Sequence, residues 1–156
     1  LFCGVKETMK IAIASDHAGY DLKTQILEHL KTRGLANVKD LGPDNKNNSV
    51  DYPDYAKRVC EEVVSDEDCL GILVCGTGIG MSITANKIKG IRAAHASDPY
   101  SSKMARRHND ANVLCLGSRV LGAGLAFEII DSWLDAEYEE GRHQTRLDKI
   151  EALEVK

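Results

Sequence analysis

No stretch of the 156-residue chain is long and apolar enough to span a bilayer as a helix, so a membrane partner is not expected. An excess of basic residues is missing too. Twenty Lys and Arg stand against 24 Asp and Glu, a net charge of -4, and no basic face is expected to dominate. Nucleic acid is therefore not an expected partner. The five cysteines are odd in number and include no C-x-x-C pair, which excludes a disulfide frame and a zinc site. That pattern predicts a reducing, cytoplasmic setting with no metal. Internal repeats and low-complexity tracts are also absent. Residues 1–8 lack the apolar centre of a signal peptide and precede a natural-looking start at Met9. They are expected to be a leader or an expression remnant. What remains is 43% hydrophobic and 28% charged, which fits one domain over 9–156 with a single core.

The chain is organised around Leu70 to Thr84. Leu70-Gly-Ile-Leu-Val-Cys75 is a short, branched, apolar run that predicts a buried strand. It breaks into Cys75-Gly-Thr-Gly-Ile-Gly80, and helical character follows from Met81 to Ile88. Three familiar phosphate loops fail here, each for want of one residue. A dinucleotide fingerprint needs a third glycine where Met81 stands. A P-loop needs a Gly-Lys-Ser/Thr ending, and no lysine follows Gly76 within the loop. A cysteine phosphatase needs an arginine six residues after Cys75, again the place of Met81. A strand turning through glycines into a helix still leaves N–H groups free for an anion. Cys75 at its mouth is then a nucleophilic or basic thiol, or merely a small buried hydrophobe.

Other strands are expected at Met9–Ala14, Leu35–Leu41, Ile91–His95 and Asn112–Leu116. Helices are expected after Gly19, from Tyr52-Pro53, from Asp98-Pro99, over Leu121–Trp133, and in a last amphipathic segment holding Leu147, Ile150 and Leu153. Gly42 to Ser49 reads as a surface excursion with a role in binding. The alternation predicts an α/β fold, a three-layer α/β/α sandwich built on a Rossmann-like five-stranded parallel sheet with an extra C-terminal helix. Ligands of such folds bind at the carboxyl edge of the sheet. The turns Ser15-Asp16-His17, Cys75 to Gly80 and Gly117-Ser118-Arg119 should converge there. His29 and His95 read as ordinary helix and strand residues.

Several motifs recur in an order and spacing that resembles the ribose/galactose isomerase family: Ser15-Asp-His-Ala-Gly19, Asp51-Tyr-Pro53, Cys75-Gly-Thr-Gly-Ile-Gly80, Ala85-Asn-Lys87, Gly90-Ile-Arg92, Arg107-His-Asn-Asp110, Leu116-Gly-Ser-Arg119 and Gly141-Arg-His-Gln144. The resemblance implies an aldose–ketose isomerase acting on a small phosphorylated sugar, ribose 5-phosphate to ribulose 5-phosphate, through an enediolate and without a cofactor. It implies Cys75 as the base, Thr77 as the residue ordering the thiol, and His108 as the residue opening the sugar ring. Asp16, His17, Tyr52 and Asn109 become pocket residues, and Gly76, Gly78, Ile79 and Gly80 an anion hole. Arg142 and Arg146, four apart on one helical face, become a phosphate grip, with Arg119 as a further candidate. Six-carbon substrates (allose or galactose 6-phosphate) and a non-catalytic phosphosugar-binding module are the alternative readings. Topology adds one expectation of its own. The helix from Asp98 must run back along the sheet, carrying His108 away from Cys75, so a homodimer, or a tetramer, with shared sites is expected.

Overall fold

The computed structural model describes residues 8–154. The expected leader, 1–8, lies outside that range apart from Thr8. Five strands form one parallel sheet: β1 (Lys10–Ser15), β2 (Val38–Asp40), β3 (Cys69–Cys75), β4 (Ala93–His95) and β5 (Val113–Gly117). Among the described residues six helices accompany them: α1 (Tyr20–Thr32), α2 (Tyr52–Ser65), α3 (Ile79–Ala85), α4 (Pro99–Asn109), α5 (Ala123–Leu134) and α6 (Arg142–Glu151). The strand order is β2-β1-β3-β5-β4. The chain thus steps outward to β2, returns past β1 to β3, leaps to the far edge for β4, and comes back to insert β5.

Alternation along the strands feeds two cores. Ile11, Ile13, Ile72, Val74, Leu114 and Leu116 face α1 and α5, where Ile26, Leu30, Ile129 and Trp133 are buried. Ala12, Ala14, Leu73, Cys75 and Cys115 face α2 and α3, against Val59, Cys60, Met81 and Ala85. The small residues on the second face let those helices lie close. A methyl group on Gly71 would stand 2.7 Å from a Val59 side-chain carbon.

Three elements are shorter than their patterns predict. β2 spans three residues, because Leu35 is drawn back onto α1, its N–H donating to Leu30 O. α3 starts at Ile79 and stops at Ala85, before Ile88. β4 is also three residues long, and the side chain of Asn86 flanks it: its Nδ2 donates to Ala93 O at 3.0 Å, and its Oδ1 accepts from Ala93 N–H at 2.9 Å. The Gly42–Val50 excursion is anchored by Lys23, fully buried on α1, whose ammonium donates to Asp40 and to Pro43 O, both at 2.8 Å. No helix among the described residues is long and apolar enough to cross a membrane.

Candidate active site

The three turns expected at the carboxyl edge do meet there, stitched by main-chain bonds. Asp16 N–H donates to Val74 O at 3.1 Å, Ser118 N–H to Cys75 O at 2.8 Å, and Arg119 N–H to Gly76 O at 3.0 Å. Ser118 Oγ–H closes the third side on Ala18 O at 2.9 Å. Cys75 ends β3 with 4% of its surface exposed, and the Gly78 N–H donates to its Sγ at 3.1 Å. That approach requires Gly78 at φ +81, where a β-carbon would stand 2.8 Å from the His95 ring and 2.9 Å from the Leu116 carbonyl carbon. Only glycine fits.

The resemblance gives Thr77 the ordering of the thiol, and in this structure the hydrogen bond on sulfur comes from the Gly78 N–H. Thr77 Oγ1 accepts from Ile79 N–H at 3.2 Å, and the donor on sulfur is the peptide joining Thr77 to Gly78. Two of the loop's N–H groups are therefore occupied. Among the described residues, those of Gly76, Thr77 and Gly80 have no partner and are the ones free to receive an anion. The Tyr52 ring lies directly over Gly80, where a methyl group would come within 2.6 Å of it. Arg119 lies over Gly76 in the same way, with Nη1 3.4 Å from such a methyl. Asp16, buried, accepts from Gly19 N–H at 2.9 Å through Oδ1. His17 Nδ1 accepts from Val50 N–H at 3.2 Å, so Nε2 carries the proton and is the ring's donor. Ile79 is half exposed at the rim.

The other described cysteines, Cys60, Cys69 and Cys115, are buried in the same core. Burial pushes Cys60 up to about 12 and holds Cys115 well above the usual thiol range, with Cys60 and Cys75 beside it adding to the effect. Burial raises Cys69 as well. All three remain protonated packing residues.

A second cluster stands at the opposite edge. α4 begins at Pro99 beyond the carboxyl end of β4 and runs back over 11 residues, roughly 16 Å, to His108 and Asn109. Asn112 N–H then donates to Arg92 O, just before β4, which fixes this end at the amino edge. There the His108 ring stacks on His143 at 4.3 Å, with 10° between planes. Glu139 Oε2 lies 3.5 Å from His108 Nε2 and 3.4 Å from His143 Nε2, while Arg107 pairs with its other oxygen. Burial holds His143 below the ordinary imidazole value, helped by the charges of His108, Arg142 and Arg146. Burial works to raise Glu139, but the Arg107 bond and the nearby His108 and His143 bring it below the usual carboxylate range. The three ligand-type atoms of His108, Glu139 and His143 lie within 4.8 Å of one another. Three arginines around them make the cluster cationic, suited to an anion and ill suited to a metal ion.

The structure thus gathers Asp16, His17, Tyr52, Cys75, Gly76, Thr77, Gly78, Ile79, Gly80 and Arg119 on one edge. It sets His108, Asn109, Arg142 and Arg146 on the other. Sequence reasoning passed over Glu139, His143 and Arg107, although Gly141-Arg-His-Gln144 marked the place. It also passed over His95, whose Nε2 bonds Thr77 O at 2.8 Å.

A parallel sheet whose glycine turn presents a thiol beside free N–H groups defines an α/β protein with an anion-receiving site at its carboxyl edge, and similarity to known proteins gives it a family. The Ribose/Galactose Isomerase model matches residues 11–150, and the chain belongs to that family. Within it, the likeness is to the type B ribose-5-phosphate isomerases. Ribose-5-phosphate isomerase B of Escherichia coli is 51% identical over 145 residues, covering 93% of this chain and 96% of that protein. The Clostridium thermocellum enzyme superposes with a TM-score of 0.90 at 53% identity, covering 94% and 97% of the two chains. The Mycoplasma genitalium enzyme, solved with bound ribulose 5-phosphate, gives 0.89 at 48% identity, covering 94% and 96%.

Proposed function

We propose that this protein interconverts ribose 5-phosphate and ribulose 5-phosphate, with Cys75 as the base. The observation that carries the reading is the Cys75 sulfur under the Gly78 N–H, at the mouth of a loop with three further N–H groups unpaired. The thiolate takes the proton from C2 of the opened aldose, leaving an enediolate and a thiol. The thiol returns that proton to C1 while the proton on O2 passes to O1, which yields the ketose. The charge on the enediolate oxygen is greatest near the transition state, where fixed N–H groups stabilise it most. His17 Nε2–H, Asp16 and Tyr52 line the sugar, and Arg119 lies beside the loop.

His108 opens the ring and Arg142 and Arg146 hold the phosphate, all three from a second subunit, with Asn109 beside them. Two observations support the shared site. Cys75 and His108 sit on opposite edges of their own sheet. A groove of about 710 Å³ between β4, α4 and α6 also reaches Asn109, and exposed Ile150 and Leu153 line it. A second copy seated there buries this apolar surface and brings its own glycine loop to the waiting histidine.

Cys75→Ala tests the chemistry. It should lower kcat by roughly 10²- to 10⁴-fold while sparing phosphosugar binding. Near-normal turnover in that variant removes Cys75 from the mechanism. The substrate is tested by assaying ribose 5-phosphate beside allose 6-phosphate and galactose 6-phosphate. Faster turnover of either six-carbon sugar overturns the pentose assignment.

A further inference from the structure

We infer that His95 is a positioning residue for the thiol and acts on it through a single peptide group. The inference rests on the reading of Cys75 as the reactive residue. His95 Nε2 lies 2.8 Å from Thr77 O. A carbonyl oxygen only accepts, so Nε2 carries the proton and donates. The Thr77 carbonyl and the Gly78 N–H belong to the same peptide unit, and that N–H is the donor on Cys75 Sγ at 3.1 Å. The unit is planar and trans, so its C=O and N–H point in opposite directions. One end is held by the imidazole and the other by the sulfur.

Two effects follow. The imidazole fixes the plane of the peptide, so the N–H stays aimed at sulfur. It also withdraws electron density through the amide, which makes that N–H a stronger donor, as in any hydrogen-bonded chain. A stronger N–H donor on sulfur favours the thiolate over the thiol. The ring is placed to do this by packing as well as by its bond. It lies against the α-carbon side of Gly78, where a β-carbon would approach Cδ2 to 2.8 Å and Nε2 to 3.1 Å. Its strand is held at the other end by the two Asn86 bonds to Ala93. His95 is exposed, so neither core burial nor sheet pairing explains an aromatic donor on this peptide.

The test reads the thiol directly. Alkylation of Cys75 by iodoacetamide at neutral pH is followed by peptide mass spectrometry in wild type, His95→Leu and His95→Gln. His95→Leu keeps apolar bulk over Gly78 but has no donor, and should slow Cys75 alkylation about two- to tenfold, the range of one hydrogen bond. His95→Gln places an amide N–H where Nε2 was and should restore the rate to within about twofold. Cys60 and Cys115 should stay unreactive in all three proteins. If His95→Leu exposes them, His95→Asn, whose amide stops short of Thr77, replaces it as the donor-less variant. An unchanged Cys75 rate in the donor-less variant overturns the inference, and so does a His95→Gln protein as slow as His95→Leu. kcat should fall by the same factor as alkylation, with KM unchanged. Slowed alkylation with unaltered turnover upholds His95 as the positioning residue and counts instead against Cys75 as the base.

Discussion

Two inactive proteins should make an active one. The Cys75→Ala protein keeps its His108, and the His108→Asn protein keeps its Cys75. The run of α4, roughly 16 Å long, carries His108 to the edge of the sheet opposite Cys75, whereas both must come within about 3 Å of the same small sugar. If both serve one reaction, each site takes one of the two residues from each chain of a pair. Equal amounts of the two proteins, allowed to exchange subunits, re-pair at random into one quarter of each homodimer and one half heterodimer. The homodimers have a lesion in every site. Each heterodimer has one site with both lesions and one with neither, so a quarter of all sites are intact and about a quarter of wild-type activity should return. The assay is isomerisation of ribose 5-phosphate against time after mixing, with exchange followed separately by native mass spectrometry of a mass-tagged partner. If exchange is complete and activity stays at the level of the two parents, the shared site is wrong.

Two further outcomes are expected. Arg142→Ala or Arg146→Ala should raise KM for the phosphosugar with little change in kcat, and the defect should mimic high salt; unchanged KM in both returns them to a solvated helix face. Acidification should destabilise the α4–α6 junction. His143 is held below the ordinary imidazole value of 6.5, so the unfolded chain takes up that proton first. The stability His143 contributes is therefore complete above pH 6.5 and lost as pH falls below it. Calorimetric Tm should drop more steeply from pH 7.5 to 5.5 in wild type than in His143→Gln, and parallel slopes would remove His143 from the account.

The fold was legible because its signals are local and periodic. Branched strands bounded by glycine turns, and Pro53 and Pro99 at helix starts, place most elements within a few residues. The convergence of Asp16, Cys75 and Arg119 followed from parallel strands alone, since all three stand at strand ends. What the sequence hid is held by contacts without period. His95 looks like a strand residue because its partner, Thr77, lies 18 positions back in a turn. Thr77 invited a role for its hydroxyl, whereas the contact with sulfur is made by its peptide. His143 sits within Gly141-Arg-His-Gln144, but its stacking on His108 depends on how α6 meets α4. The place of β4 at the sheet edge was equally out of reach, because β3–α3–β4 would read the same had β4 paired directly with β3.

The clamp of Asn86 on Ala93 bears on how this molecule can join another. In a parallel strand alternate residues turn their main-chain groups outward, and β4 is an edge strand. Its inward side is engaged with β5, and on the outward side both groups of Ala93 are taken by one carboxamide that imitates a neighbouring strand. Only His95 is left with outward main-chain groups to offer. The sheet therefore cannot be continued from chain to chain across this edge. A partner meeting this edge has to be held by side chains on the flanking helices, not by the backbone of the sheet.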